Sequence, residues 1–231
     1  MIFSGGLVGG GWGAKRGSDG SNATICINDG DTHNAPIEQL EAKYPVLIEQ
    51  YQLREDSGGP GTWRGGLGTE KIGRATANLM FNCQVDRVHC RPWGLFDGWA
   101  GAGNRVSVQM SGPELAFPSG KVLARPLKPG ERYFLRSGGG GGFGSPLERP
   151  VEMVQADLHH GYVSREWAER AYGIVFDAEG GIDTGATQAR RQELVAQGNF
   201  QEPPEEDAPT LIGAGLFDGG GAASSLLKRC C

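Results

Sequence analysis

Glycine occupies 40 of the 231 positions of this chain, against an average usage of roughly 7%. The glycines follow no collagen period and are not padded with serine, as they would be in a flexible linker. They punctuate short segments in which apolar residues alternate with polar ones. A residue without a Cβ admits positive φ or lets a neighbouring backbone approach closely, at an entropic cost on folding. A chain that accepts this cost so often is expected to be β-rich, with many tight turns.

Hydrophobic residues make up 38% and charged residues 21% of the chain, which suits a soluble globular fold. The formal net charge of −5 carries no basic footprint, so nucleic acid is not an expected partner. No run approaches the roughly 20 apolar residues that cross a bilayer, and no membrane contact is expected. Met1 to Gly13 has no basic n-region and is broken by glycines, unlike a secretory signal. Five cysteines (Cys26, Cys83, Cys90, Cys230 and Cys231) form an odd set with two adjacent at the end. That is no disulfide framework, and a reducing cytoplasm is the expected location.

The periodicity changes along the chain. Up to about Leu147 it has the two-residue repeat of strands: Asn22 to Asn28, Val46 to Arg54, Thr69 to Cys83, Asn104 to Met110, Glu114 to Phe117, Lys121 to Ala124 and Arg132 to Leu135. Within this part Ala35 to Glu41 reads as a short helix with Pro36 near its first position and Pro45 as its stop. After Gly144 the repeat becomes helical. Val151, Val154 and Leu158 lie on one stripe closed by Gly161, and a second helix runs from a Ser164 cap to Gly173. A third, mostly polar helix covers Thr187 to Gln197. The expected architecture is α+β: a β-rich, glycine-dense body over 1–147, a small helical segment packed on it over 148–198, and a flexible tail over 199–231.

Few motifs point to chemistry. Gly10 to Arg16 lacks both the hydroxyl that follows the lysine of a phosphate loop and the helix that opens behind it, so a shaped turn is expected. Gly139, Gly141 and Gly144 fit a G-x-G-x-x-G spacing, but Pro146 and Pro150 prevent the helix that a dinucleotide fingerprint requires. Two readings of Gly139, Gly140 and Gly141 stay open: a nest of backbone amides that holds an anion, and close packing of backbones. Asp29, Asp31 and His33 alternate, but no further ligand follows at a telling spacing, so an acidic turn is favoured over a metal site. Cys83, His89 and Cys90 fit no zinc knuckle, and His159-His160 is read as structural. No catalytic residue and no metal ligand is assigned.

Six segments taken together, covering about Gly9 to Asp177, resemble the hydantoinase B family. They are Gly9 to Ala14 with Asp19-Gly20; Asn34 to Pro45; Leu53 to Gly59 with Gly61 to Gly68; Asp86-Arg87 with Pro92 to Leu95; the glycine run ending Gly142-Phe143-Gly144; and Pro150 to Phe176. This family includes the B-type components of ATP-dependent hydantoinases, the corresponding half of 5-oxoprolinases and large subunits of acetone carboxylase-type enzymes. The match is to the carboxy-terminal half of such a component. Phe96-Asp97-Gly98-Trp99 stands where the family more often has paired glycines, and the residues beyond Phe200 have no counterpart in it.

The resemblance implies an ATP-dependent cyclic-amide hydrolase or a related ketone carboxylase working with a kinase-like ATPase subunit. The alternative is a non-catalytic assembly subunit of such a complex. The implied partners are a hydantoinase A-type ATPase subunit and a chain supplying the family's amino-terminal half. ATP and a divalent metal are expected in those partners rather than here. Asn34, Glu38, Glu41, Arg87 and Gly139 to Gly141 are the candidate residues for contact with substrate or with a partner. For the four side chains, a buried hydrogen-bond or ion-pair role is the competing reading.

Overall fold

Strict alternation of buried and part-exposed side chains along Thr69–Ala75 (β3), with Thr69, Lys71, Gly73 and Ala75 buried, makes this segment a half-buried strand. The computed structural model describes residues 2–3, 8–25, 35–198 and 200–202. β3 pairs antiparallel with β2 (Val46–Leu53) on one side and with β8 (Arg132–Arg136) on the other. Beyond β8 follow β5 (Arg105–Gln109) and β6 (Glu114–Ala116), giving an antiparallel sheet of order β2-β3-β8-β5-β6. A second sheet places β4 (Leu79–Gln84) between β1 (Ile2–Phe3), which runs parallel to it, and β7 (Lys121–Leu127), which runs antiparallel.

The two sheets share one apolar core. Leu79 and Phe81 of β4 and Val122 and Leu127 of β7 meet Ala75, Val106, Val108, Tyr133 and Leu135 of the larger sheet. Leu40 closes the core from helix α1 (Ile37–Lys43). Tyr133 stacks on Phe81 at 5.0 Å between ring centroids. Its ring lies over its cross-strand partner Gly73, where a Cβ would stand 2.2 Å from it. Gly73 is therefore a space requirement of the tyrosine. The other face of the larger sheet carries charge: Glu49 pairs with Arg74 and Arg132, and Arg136 joins Glu70 and Glu114. The Glu49 pairs are exposed and contribute about 0–1 kcal/mol each, whereas the Arg136 pairs are part-buried.

Behind β8, a short 3-10 turn at Pro146–Glu148 leads into α2 (Val151–His159), α3 (Arg165–Tyr172) and α4 (Thr184–Gln197). Ser164 caps α3 by accepting from the Trp167 amide, and Gly173 ends it at φ +63. These helices gather a second core of Val154, Val163, Ala168, Ala171, Tyr172 and Ile174 around Trp99.

Several boundaries differ from the sequence reading. Thr69 to Cys83 is not one strand: the chain breaks at Thr76 to Asn78, and its second half crosses into the other sheet. Of the Asn22 to Asn28 strand, residues 22–25 form a turn with one isolated bridge, Gly10 to Thr24, and the remainder lies outside the described residues. α4 begins three residues before Thr187 because the Asp183 carboxylate caps it, accepting from the Ala186 amide at 2.8 Å. Ile2 and Phe3 pair with Met80 and Phe81, far along the chain. The candidate tail lies outside the described residues beyond Glu202.

Candidate functional site

The run Gly138 to Gly142 adopts no positive φ. It runs extended through the middle of the molecule, hemmed in by residues 9–14, 57–68 and 92–104. Its peptide groups bond in turn to different neighbours. The amides of Gly138, Gly139, Gly140 and Gly142 donate to Asn104 Oδ1 (2.6 Å) and to the carbonyls of Ala102 (3.1 Å), Gly66 (2.9 Å) and Trp99 (2.9 Å). The carbonyls of Gly138, Gly140, Gly141 and Gly142 accept from Gly11, Gly59, Ala14 and Leu95, each at 2.8–2.9 Å. A strand in a sheet has two hydrogen-bonding neighbours; this one is bonded to three segments.

Such bundling leaves no room for side chains. A Cβ would lie 1.7 Å from the Ser57 carbonyl oxygen at Gly139 and 1.9 Å from that of Trp12 at Gly140. At Gly141 and Gly142 it would meet the carbonyls of Trp93 and Pro60 at 1.9 and 2.0 Å. Successive glycines thus face successive neighbours. Some of the surrounding positions are glycine for the same reason: Gly65 comes equally close to the Gly140 carbonyl, and Gly11 to that of Gly66. Of the two readings left open for Gly139 to Gly141, close packing is the one built here. The Gly139 and Gly140 amides are engaged by protein carbonyls.

A buried ionic cluster locks this junction to the helices. The Asp19 carboxylate receives Arg149 Nη1 and Nη2, both at 2.8 Å, and the Arg64 amide at 2.7 Å. Arg149 Nη2 also reaches Asp157 Oδ2 on α2 at 2.8 Å, and Arg64 Nε reaches the same oxygen at 3.3 Å. The Arg149 side chain is 1% exposed. Burial alone would raise the pKa of Asp19, but hydrogen bonds and charge from Arg149 and Arg64 outweigh it and hold the carboxyl below its ordinary range. Burial raises the Tyr172 phenol, which lies in the field of the same groups. The cluster has the features of a structural tie, paired and hydrogen-bonded. Arg149 and Asp157 are only 8 residues apart, but Asp19 lies 130 residues from Arg149 and Arg64 lies 93 from Asp157, so no local pattern in the chain announces the whole cluster. Asp19, Arg64 and Asp157 fell within stretches singled out from the sequence, whereas Arg149 did not.

Around the junction runs a rim of exposed apolar side chains: Trp12 (46% exposed), Trp93 (69%), Leu95 (49%) and Phe96 (70%). Phe96 rests on Phe143 with ring centroids 4.9 Å apart. Arg87 lies over the Trp93 ring at 5.7 Å.

The candidate residues from the sequence fall in separate places. Asn34 lies outside the described residues, as do Asp29, Asp31 and His33. Glu38 is exposed on α1, which packs on β2. Glu41 accepts the Ile48 amide at 2.7 Å, the structural role weighed against it. Arg87 stands at φ +50 in the loop after β4, held there by Asn104, whose amide donates to the Arg87 carbonyl at 3.0 Å. Among the described residues no three His, Cys, Asp or Glu side chains gather as a metal-binding group. The donor set for a divalent ion is therefore not assembled among them, and no step is assigned through one. No helix of the described residues is long and apolar enough to cross a membrane.

Comparison with known proteins places these features. A family model described as Hydantoinase B/oxoprolinase matches residues 3–146, a span that holds both sheets and the whole glycine junction. A protein of Pseudomonas sp. (strain NS671), named for the B component of a D-/L-hydantoinase, is 32% identical over 187 residues, covering 80% of this chain and 31% of that protein. The beta chain of the caprolactamase of Pseudomonas jessenii is 36% identical over 192 residues, covering 78% and 32%. The crystal structure of the ATP-dependent caprolactamase from that organism superposes with a TM-score of 0.66 at 31% identity, covering 80% of this chain and 33% of the other. Nucleotide-free acetone carboxylase shares the fold, with a TM-score of 0.67 at 23% identity over 84% of this chain and 30% of that one. The chain thus spans about a third of the length of these relatives.

Proposed function

This chain belongs to the hydantoinase B/oxoprolinase family, and from that premise we propose that it is part of an ATP-dependent cyclic-amide hydrolase. It works there beside a hydantoinase A-type ATPase subunit, in the cytoplasm. The relatives above 30% identity are named for a hydantoinase and a caprolactamase, so a ring amide is favoured over a ketone as substrate. An unstrained amide resists hydrolysis because its leaving group is poor and its carbonyl carbon weakly electrophilic. Phosphorylation of the amide oxygen by a partner that binds ATP and a divalent metal would make the carbon electrophilic enough for water to add. Departure of the protonated ring nitrogen would then leave an acyl phosphate, which a second water hydrolyses to the carboxylate and inorganic phosphate. This portion of the family body contributes a closely packed glycine frame, and the exposed Glu38 and Arg87 are its described candidates for contact with substrate or partner. The observation that carries the reading is the match over 3–146, whose glycines are fixed by backbone contact and leave little latitude for a different fold.

The test is intact-complex mass spectrometry of the natively expressed chain, followed by turnover assays on hydantoin, 5-oxoproline, caprolactam and acetone with bicarbonate. The expected outcome is a hetero-oligomer containing an ATPase subunit that opens one of the rings only when ATP is present. Ring opening by the isolated chain without ATP would overturn the proposal, and carboxylation of acetone with no lactam turnover would replace it with the ketone reading.

A further inference from the structure

We infer that the cleft beneath helix α4 is a binding site for a small carboxylate with an apolar body. The inference is independent of the family reading. α4 is 14 residues long but buries only Thr187. Polar contacts, rather than apolar packing, fasten it. Thr187 Oγ1 accepts the Val175 amide at 3.0 Å, and Arg191 donates from Nε to the Tyr172 carbonyl and from Nη1 to the Arg149 carbonyl, each at 2.8 Å. A helix held in this way stands off the body. Between it and the Pro146–Glu148 turn lies a cavity of about 560 Å³, a size that takes small organic ligands.

Two features of the lining give the class of ligand. The first is its apolar part. Leu147 and Val151 line the cavity from the turn and α2, and Val195 and Ala196 line it from α4. Val195 is 65% exposed although apolar, so an apolar body seated there would cover surface that now meets water. The second is an unbalanced charge. Arg191 lines the same cavity, and both of its hydrogen bonds go to neutral carbonyls. Its Nη2 is shut off from solvent and meets no acceptor among the described residues. Burial holds the pKa of Arg191 below the ordinary arginine value, and no neighbouring carboxylate offsets this. Glu148, the acid among the lining residues, instead accepts from Thr62 Oγ1 at 3.4 Å. A cation taken out of water without a counter-ion is costly, and its field reaches far across a wall of low dielectric. A carboxylate in the cavity supplies the missing charge, and the Gln188 and Gln192 side chains, which also line it, offer amide donors to its oxygens.

The probe is phenylbutyrate, titrated calorimetrically into the full chain, with neutral phenylbutanamide as the same body without the charge. The carboxylate should bind roughly tenfold more tightly than the amide or better, and the backbone NMR shifts it causes should map to residues 145–151 and 184–196. Val195→Trp fills the cavity from an exposed position, so binding should be lost while the melting temperature stays unchanged. Arg191→Gln should reduce the carboxylate to the affinity of the amide, whereas Arg191→Lys should retain the preference for the carboxylate. Glu148→Gln should tighten the carboxylate and leave the amide unchanged. Should Arg191→Gln fail to fold, Val195→Trp and Glu148→Gln still decide. Equal affinity of the wild-type chain for the two compounds, or binding of neither, overturns the inference. So does a Val195→Trp variant that binds as wild type does, or a folded Arg191→Gln variant that still prefers the carboxylate.

Discussion

A methyl group added at Gly139 would land 1.7 Å from the Ser57 carbonyl oxygen, and backbone bonded on several sides cannot step aside for it. Gly139→Ala is therefore expected to destabilise the fold by about 3 kcal/mol or more, at the upper end of what overpacking costs. Gly112 has nothing within 4 Å of a built Cβ and no positive φ, so Gly112→Ala should change stability by no more than about 0.5 kcal/mol. Urea denaturation of the two variants separates the two kinds of glycine. Equal midpoints would mean that the junction is softer than its hydrogen bonding requires. From the sequence the glycines were read as serving positive φ or close backbone approach, and Gly17, Gly120 and Gly130 serve the first end at positive φ. The central run does not. Nothing in its local sequence tells which backbone it will lie against, because each contact is made by a residue 30 to 130 positions away.

Helices and strands were more legible, since their signals are local. The Ser164 cap and the Gly173 terminus of α3 were readable in order, as was the stripe of α2. The break between β3 and β4 was not: Thr76-Ala77-Asn78 carries no glycine or proline, and the crossing is dictated by the core the two sheets share. The element most exposed to pH is the start of α3. Asp56, at φ +59, accepts the Ser164 amide at 2.7 Å. Burial raises its pKa despite that hydrogen bond, with Glu166 adding repulsion. A carboxyl whose folded pKa lies above its unfolded value near 3.8 holds its proton longer in the folded state. Its contribution to stability is then fully present at low pH and falls as pH rises through the folded value. Asp56→Asn keeps the acceptor, removes the charge and suits the left-handed φ. The variant should be more stable than wild type at pH 7, with the difference shrinking as pH falls through the raised folded value and gone once it is below the unfolded value near 3.8. A constant difference across that range would show that charge is not what Asp56 costs.

At the scale of the whole molecule the question is whether the sheets and the helices unfold together. Besides the contact of Asp56 with the start of α3, two ties join the helical core to the junction. Trp99 belongs to that core and is bonded to the junction through the Pro60 and Gly142 peptides. Asp157 on α2 holds both Arg64, from the glycine-rich loop, and Arg149, which in turn clasps Asp19. Because these charges are buried, each depends on its partners far more than a surface pair would. Removing one leaves an uncompensated charge at a cost of about 3–5 kcal/mol. The wild-type chain should therefore melt in one calorimetric transition whose van't Hoff and calorimetric enthalpies agree. Asp157→Ala should strand Arg64 without its carboxylate and Arg149 with only Asp19. Trp99 then remains the principal tie between the two cores, and the transition should split, with α2 to α4 exchanging amide hydrogens before the sheets do. A single sharp transition in Asp157→Ala, displaced by only a degree or two, would place the coupling in the glycine junction alone and reduce the ionic cluster to a local packing feature of α2.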